Sequence, residues 1–240
     1  MDMSKDTEFY NKISGSYSED RYPEIANSYT QFFFKRRLDL LVNAIKQTTL
    51  AHGGELSVLE IGCADGVVLR KVYEVFFKKF SYFVGLDISP KMIEVASLKN
   101  SDTGIFFKVR NDYHDLRKFN LILEVGVINY TESIEDEMAY AHSVLGVGGY
   151  YICSFAGTDS LLNRIKPEDK GYNNFLSYEE YEEIIQKFFV IERKLPVGFF
   201  VPFLWRVPVL ARLIQPIAEG IFRGFVPNLF HEKIYFLKNR

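Results

Sequence analysis

The sequence predicts an α/β fold built on a doubly wound sheet. Short apolar runs alternate with amphipathic stretches from residue 56 to the end of the chain, the pattern of a sheet with crossover helices. The run Val58-Leu59-Glu60-Ile61-Gly62-Cys63-Ala64-Asp65-Gly66 passes from apolar residues through an acid into a glycine turn, and Val67-Val68-Leu69-Arg70-Lys71-Val72-Tyr73 follows it. That is strand, tight turn, helix. A second apolar run, Tyr82-Phe83-Val84-Gly85-Leu86-Asp87, ends in an acid 21 residues beyond Gly66. Nucleotide-binding α/β folds place a ribose-binding carboxylate at about this distance, roughly 20 residues past the turn.

The elements follow in order. Residues 9–45 read as helical: Phe32, Phe33, Leu38, Leu41, Val42 and Ile45 recur at helical spacing with Lys35, Arg36, Arg37 and Asp39 between them. Residues 56–61 form the first strand and 67–79 the first crossover helix, closed by Lys78 and Lys79 where cations suit the helix dipole. Residues 82–86 are the second strand. Ser89 is a good N-cap and Pro90 suits the first helical position, so a helix runs over 90–99. Residues 105–109 make the third strand, 121–123 the centre of the fourth, 131–145 a helix and 150–155 the fifth strand. Ser177-Tyr178-Glu179-Glu180 has capping-box spacing and starts a helix to about residue 187. Strands at 188–193 and 233–237 complete the sheet. Ala51-His52-Gly53-Gly54 marks the boundary between an N-terminal segment, 1–50, and the main domain, 51–240.

The glycine turn carries the chemistry. Gly62 and Gly66 have no Cβ, so a ligand can approach the backbone at the carboxyl end of the first strand. Ala64 between them is expected at an ordinary negative φ, because a left-handed alanine is strained. Glu60-x-Gly62-x-Ala64-x-Gly66 resembles motif I of the class I S-adenosylmethionine-dependent methyltransferases, acid-x-Gly-x-Gly-x-Gly, with alanine for the middle glycine. Three further elements share the likeness: Asp87, the Arg110-Asn111-Asp112-Tyr113 turn after the third strand, and Leu145-Gly146-Val147-Gly148-Gly149 before the fifth. Phe119-Asn120 replaces the family's usual Phe-Asp. The resemblance covers about residues 50–155.

It implies a Rossmann-like, seven-stranded, mostly parallel sheet whose last strand runs antiparallel between the fifth and sixth. It implies S-adenosyl-L-methionine as cofactor and S-adenosyl-L-homocysteine as product. The turn Glu60, Gly62, Cys63, Ala64, Asp65 and Gly66 would cradle the cofactor. Asp87, with Ile88, would hold the ribose, and Met92 would lie against the adenine. Asp112, flanked by Asn111 and Tyr113, would accept from the adenine amine; its alternative reading is a plain turn acid. Glu124, Val125 and Gly126 would line the methionine half. The N-terminal segment is similar to the helical lid of small-molecule methyltransferases, from which Tyr17 and Arg21 would contact the cofactor carboxylate or the substrate; its alternative is an aromatic helix packed on the sheet.

Methyl transfer from a sulfonium needs positioning more than acid or base. His114 and Tyr130 near the strand ends are the candidate catalytic residues, each equally readable as a packed or solvent-facing side chain. The four histidines show no ligand spacing, so no metal is expected. The net charge of −2 leaves no basic footprint for nucleic acid. Two cysteines are too few for a disulfide framework, and the N-terminus has no apolar signal core, so the reading is cytoplasmic. The expected acceptor is a small molecule, a sugar or a lipid-linked or hydrophobic metabolite. A nicotinamide-dependent oxidoreductase is the first alternative, although Val67 stands where its third glycine belongs. A non-catalytic module that keeps the cofactor fold is the second.

Residues 195–230 form an insertion before the last strand. Prolines 196, 202, 208, 216 and 227 are expected to break any long helix, and Arg206 and Arg212 exclude a membrane span. Val209, Leu210, Leu213, Ile214, Ile217, Ile221 and Phe222 share one helical face. Four roles fit: a cap on the acceptor pocket, a contact with a membrane surface or lipid-linked substrate, a dimer contact, or packing on its own domain. The loop 157–176, with Asn163, Arg164, Lys166, Asp169, Asn173 and Asn174, offers polar groups to an acceptor such as a sugar.

Overall fold

The computed structural model describes residues 3–48, 56–115, 117–165 and 173–239. The predicted boundary at Ala51-His52-Gly53-Gly54 lies outside them, as do Lys166 and Asp169. In chain order the elements are α1 (Met3–Ile13), α2 (Tyr17–Arg21), α3 (Tyr29–Lys46), β1 (Leu56–Ile61), α4 (Val67–Phe76), β2 (Phe80–Asp87), α5 (Pro90–Lys99), β3 (Ile105–Val109), β4 (Phe119–Glu124), α6 (Ile134–Val144), β5 (Leu145–Phe155), α7 (Leu161–Ile165), α8 (Tyr178–Phe188), β6 (Phe189–Val197), α9 (Pro208–Phe222) and β7 (Glu232–Asn239).

The strands form one seven-stranded sheet in the order β3-β2-β1-β4-β5-β7-β6. All neighbours are parallel except β7, which runs antiparallel to both β5 and β6. The chain winds outward from β1 to β3, returns to β4, and winds the other way. The crevice at the carboxyl ends of β1 and β4 is therefore the topological switch point, where such sheets bind ligands.

Both faces of the sheet are covered, so its strands are apolar on both sides. Alternate residues serve the two cores. Val58, Phe83, Leu121 and Ile152 face α3 and α4, while Leu59, Val84, Ile122 and Tyr151 face α6 and α8. Helix starts follow the caps in the sequence. Ser89 accepts from the Met92 amide, and Ser177 and Glu180 form the capping box.

Three expectations change. The single helix over 9–45 is three helices: Gly15 and Pro23 stand in the two breaks, and Ser28 restarts α3 by accepting from the Gln31 amide. Helix α4 stops at Phe76 because β2 begins at Phe80, which leaves Lys78 and Lys79 in the turn. The prolines do not prevent a long helix in the insertion. Pro208 occupies the tolerated first turn of α9 and Pro216 lies inside it.

Helix α9 is also turned the other way from a packed helix. Ala211, Gln215 and Glu219 are buried, while six of the seven predicted apolar residues, Val209, Leu210, Leu213, Ile214, Ile217 and Ile221, point outward and are exposed; Phe222 lies off their face and stacks on Phe199 with ring centroids 4.6 Å apart. The Gln215 amide donates to the Phe199 carbonyl. Glu219 accepts from the Phe199 amide at 3.3 Å and from Arg36 Nε at 3.1 Å. These polar anchors overrule the usual inward placement of an apolar stripe, so the insertion does not pack on its own domain through that face.

Candidate active site

The turn after β1 holds three left-handed residues within five positions: Gly62 at φ 71°, Ala64 at 47° and Gly66 at 82°. The Gly62 and Cys63 amides both donate to the Leu86 carbonyl, at 2.7 and 2.9 Å, which ties the turn to the end of β2. A side chain at Gly62 would strike Val127, with only 2.3 Å between a Cβ and Val127 Cγ2. Ala64 contradicts its expected negative φ. Its amide is held by Asp87 Oδ2 at 2.8 Å, so a hydrogen bond fixes the strained conformation. Asp87 Oδ1 accepts from the Ser89 amide at 2.9 Å. Burial pushes the Asp87 carboxyl above its ordinary pKa, against the opposing pull of those amides.

The N-terminal helices clasp this turn. Asn11 of α1 accepts from Ser89 Oγ at 2.7 Å and from the Lys91 amide at 3.3 Å. The Ser18 amide of α2 donates to Asp65 Oδ2 at 3.2 Å, and Lys99 Nζ reaches the same oxygen at 2.8 Å. Tyr10 and Tyr17 thereby stand over the crevice, with the Arg21 guanidinium 4.0 Å above the Tyr17 ring.

A cavity of about 350 Å³ opens at the carboxyl ends of β1, β2 and β4. Of the residues read from sequence, Tyr17, Gly62, Ala64, Asp87, Ile88, Asn111, Val125, Gly126 and Tyr130 line it. The others do not. Glu60 is buried beneath the turn and accepts from the Leu69 backbone; burial raises its pKa well above the usual carboxylate range. Cys63 is a buried free thiol whose pKa burial also raises. Asp65 faces α2 and Lys99. Gly66 caps α4, with Phe107 and Asn100 filling the space of a side chain. Met92 is fully buried in α5. Asp112 is exposed in the single turn Arg110–Asp112, and Tyr113 follows it half-buried. His114 is exposed in the next loop, apart from the cavity, whereas Tyr130 is on its wall. Glu124 lies fully buried at the end of β4, where the Tyr151 hydroxyl donates to it.

A second chamber of about 280 Å³ adjoins the first and shares Tyr10, Tyr17, Gly126 and Tyr130 with it. Its walls are largely aromatic, from Tyr29, Phe33 and Phe34, with Arg21, His231 and Leu162. At its base Arg37 Nη1 bonds both carboxylate oxygens of Glu232, at 3.1 and 3.3 Å. A Cβ on Gly126, at φ 79°, would stand 2.6 Å from Arg37 Nη1. Three charged residues, Arg110 on the wall of the first cavity and Arg37 and Glu232 on that of the second, carry no role in the sequence motifs. One signal for Arg37 was available: it occupies the buried stripe Phe33, Arg37, Leu41, Ile45 of α3. A charge on a core stripe implies a buried partner.

The loop amides expected to meet an acceptor are engaged elsewhere. Asn163 Nδ2 donates to the Gly157 carbonyl at 2.7 Å, Asn173 Nδ2 to Tyr130 O at 2.6 Å, and Asn174 Nδ2 to Thr131 O at 2.6 Å. Asn173 still borders the first cavity. Arg164 is exposed, 3.9 Å from Asp159.

Residues 59–151 match a family model described as a methyltransferase domain. Malonyl-[acyl-carrier protein] O-methyltransferase 1 of Ilyobacter polytropus is 26% identical over 231 residues, which cover 91% of this chain and 80% of that protein. The N-methyltransferase NodS of Bradyrhizobium japonicum WM9, in complex with S-adenosyl-L-homocysteine, superposes with a TM-score of 0.64 at 14% identity and covers 97% of both chains. Magnesium protoporphyrin IX methyltransferase of Synechocystis PCC 6803, also with S-adenosyl-L-homocysteine bound, gives 0.66 at 15% identity over the whole of both chains. At those identities the two solved structures establish a common fold.

Proposed function

As a class I S-adenosylmethionine-dependent methyltransferase, this enzyme takes S-adenosylmethionine as its cofactor, and we propose that it methylates oxygen on a small, largely apolar acceptor held in the aromatic chamber. One observation carries the reading: the two cavities meet at Tyr10, Tyr17, Gly126 and Tyr130. A donor on one side and an acceptor on the other would face each other there.

The residues of the first cavity suit the cofactor. Asp87 presents a carboxylate already oriented by two amides, the acceptor that ribose hydroxyls require. Gly62 and Gly126 bring backbone to the cavity wall, their missing Cβ space taken by Val127 and Arg37. Ile88 and Asn111 offer one apolar and one polar wall for an adenine, and Val125 with Tyr130 borders the methionine half. The bound sulfonium supplies an electrophilic methyl group. The protein's part is to aim the acceptor and exclude water, which Tyr10 and Tyr17 do from above. An ionised acceptor oxygen needs no base; for one that must lose a proton, Tyr130 on the wall shared by the two cavities is the candidate base.

Aromatic walls and engaged loop asparagines favour an apolar acceptor over a free sugar. The relative named for methylating oxygen of a malonyl-[acyl-carrier protein] supports oxygen as the methylated atom. Buried free cysteines accord with a cytoplasmic setting. The test is Thr30→Trp, which fills the second chamber from its rim. S-adenosylmethionine affinity should be unchanged while turnover of an apolar hydroxyl or carboxyl acceptor falls about a hundredfold or more, as a blocked near-attack geometry requires. Full turnover in that variant would remove the acceptor from this chamber.

A further inference from the structure

Helix α9 presents an apolar face that none of the described residues covers. At 100° per residue, Val209, Leu210, Leu213, Ile214, Ile217 and Ile221 fall with Pro216 and Gly220 in one continuous arc of roughly 160°, and every one is exposed. Arg212 borders the arc. The helix cannot roll to hide this face, because Gln215 and Glu219 on the opposite side are fully buried and held by the Phe199 backbone and Arg36. Phe203 and Phe225, 73% and 81% exposed, extend the patch beyond the two ends of the helix.

The charge of the segment identifies what covers it. Between residues 199 and 231 the cations are Arg206, Arg212 and Arg223, and Glu219 is the single acid. That acid is buried and already paired with Arg36. Arg223 turns inward to Glu219 at 3.7 Å and Arg212 donates to the Ala26 carbonyl and Asn27 Oδ1 at the edge of the arc, so the exposed surface of the segment is apolar with cations at Arg206 and Arg212, although the whole chain carries −2. A second copy seated face to face would bring the same arginines and no exposed acid of the segment to receive them, since a two-fold contact repeats one patch on both sides. An anionic bilayer supplies both complements, phosphates for the arginines and acyl chains for the aliphatic arc. Among the described residues no helix is long and apolar enough to cross a membrane, so the contact lies in the interface plane.

We propose that α9, with Phe203 and Phe225, docks this enzyme on an anionic lipid surface. Helix α3 connects the docking helix to the acceptor chamber. Phe32 and Arg36 meet Trp205 and Glu219 on one side, while Phe33 and Arg37 line the chamber on the other. The docking proposal stands on the helix alone and does not depend on the acceptor reading.

Flotation with phosphatidylcholine vesicles, with and without phosphatidylglycerol, tests it. The protein should float with the anionic vesicles and be released by salt. The double variant Leu213→Glu, Ile217→Glu should lose vesicle partitioning by roughly a hundredfold, with circular dichroism and S-adenosylmethionine affinity unchanged. The milder Arg206→Gln should weaken binding to anionic vesicles alone. Failure of the wild type to float with either vesicle would overturn the proposal. So would a stable dimer in sedimentation that Leu213→Glu, Ile217→Glu converts to monomer, since the face would then belong to a second copy.

Discussion

Asp87 Oδ2 and the Ala64 amide lie 2.8 Å apart, and this hydrogen bond spans the turn from β2 to β1. It holds Ala64 at φ 47°, in the left-handed region where a Cβ crowds the following carbonyl. The strain and the carboxylate's orientation are therefore one arrangement: the same bond that costs the alanine its preferred backbone also aims Asp87 into the cavity.

Replacing Ala64 with glycine separates the two. Glycine adopts this φ without strain but loses more chain entropy on folding. The left-handed penalty of about 1–2 kcal/mol exceeds the entropy cost of about 0.5–1 kcal/mol. Ala64→Gly should therefore stabilise the fold by roughly 0.5–1 kcal/mol, read as a higher urea midpoint at unchanged slope. S-adenosylmethionine affinity should stay the same, because the amide remains. A lower midpoint would mean that the alanine methyl packs better than its φ suggests.

Asp87 itself carries a sharper expectation. Asp87→Ala should weaken S-adenosylmethionine binding by about a hundredfold in calorimetry, the loss of charge-assisted hydrogen bonds at about 1.5–3 kcal/mol. Its pH dependence follows from the direction of its pKa. Burial raises the folded value above 3.8, and the ionised carboxylate is the accepting form. Cofactor affinity should thus fall as pH drops through the raised value, earlier than an exposed aspartate would allow. Asp87→Asn should flatten that profile. An unaltered profile in Asp87→Asn would take the ribose role away from this residue.

Much of the architecture was legible because it rests on local rules. Ser89-Pro90 starts α5 through capping and ring geometry, and the strands at Leu56–Ile61 and Ile105–Val109 follow from apolar runs bounded by turns. Asp87 was legible because strand and acid come as a unit. Other features depend on tertiary contacts. The stripe on α9 was visible, but periodicity defines a face and not its direction; Phe199 and Arg36, distant in sequence from Gln215 and Glu219, decide that it points outward. Ala64 looked unstrained because only its bond to Asp87, on another strand, imposes its φ. His114 and Tyr130 were equal candidates in the sequence, and the single turn Ile128–Tyr130 brings only the latter to the cavity.

Glu124 shows how a site-adjacent acid that does not touch the cavity can still govern stability. It is fully buried at the end of β4, and Glu137 lies close enough to interact with it and to repel its charge. Burial first, and Glu137 second, push its carboxyl well above the ordinary value of 4.5. The folded state therefore holds this proton more tightly than the unfolded chain does. By linkage, stability is greatest below pH 4.5 as far as this group is concerned, and declines as pH rises from there to the folded value. Glu124→Gln removes the ionisation while its carbonyl still accepts from the Tyr151 hydroxyl. The variant should be more stable than wild type above the ordinary carboxylate range, by a margin that widens as pH rises toward the folded value. That gain should be present at pH 8 and absent near pH 4. Urea unfolding at both values measures it. A variant destabilised at pH 8 and not at pH 4 would show that the fold uses the charge and not the proton.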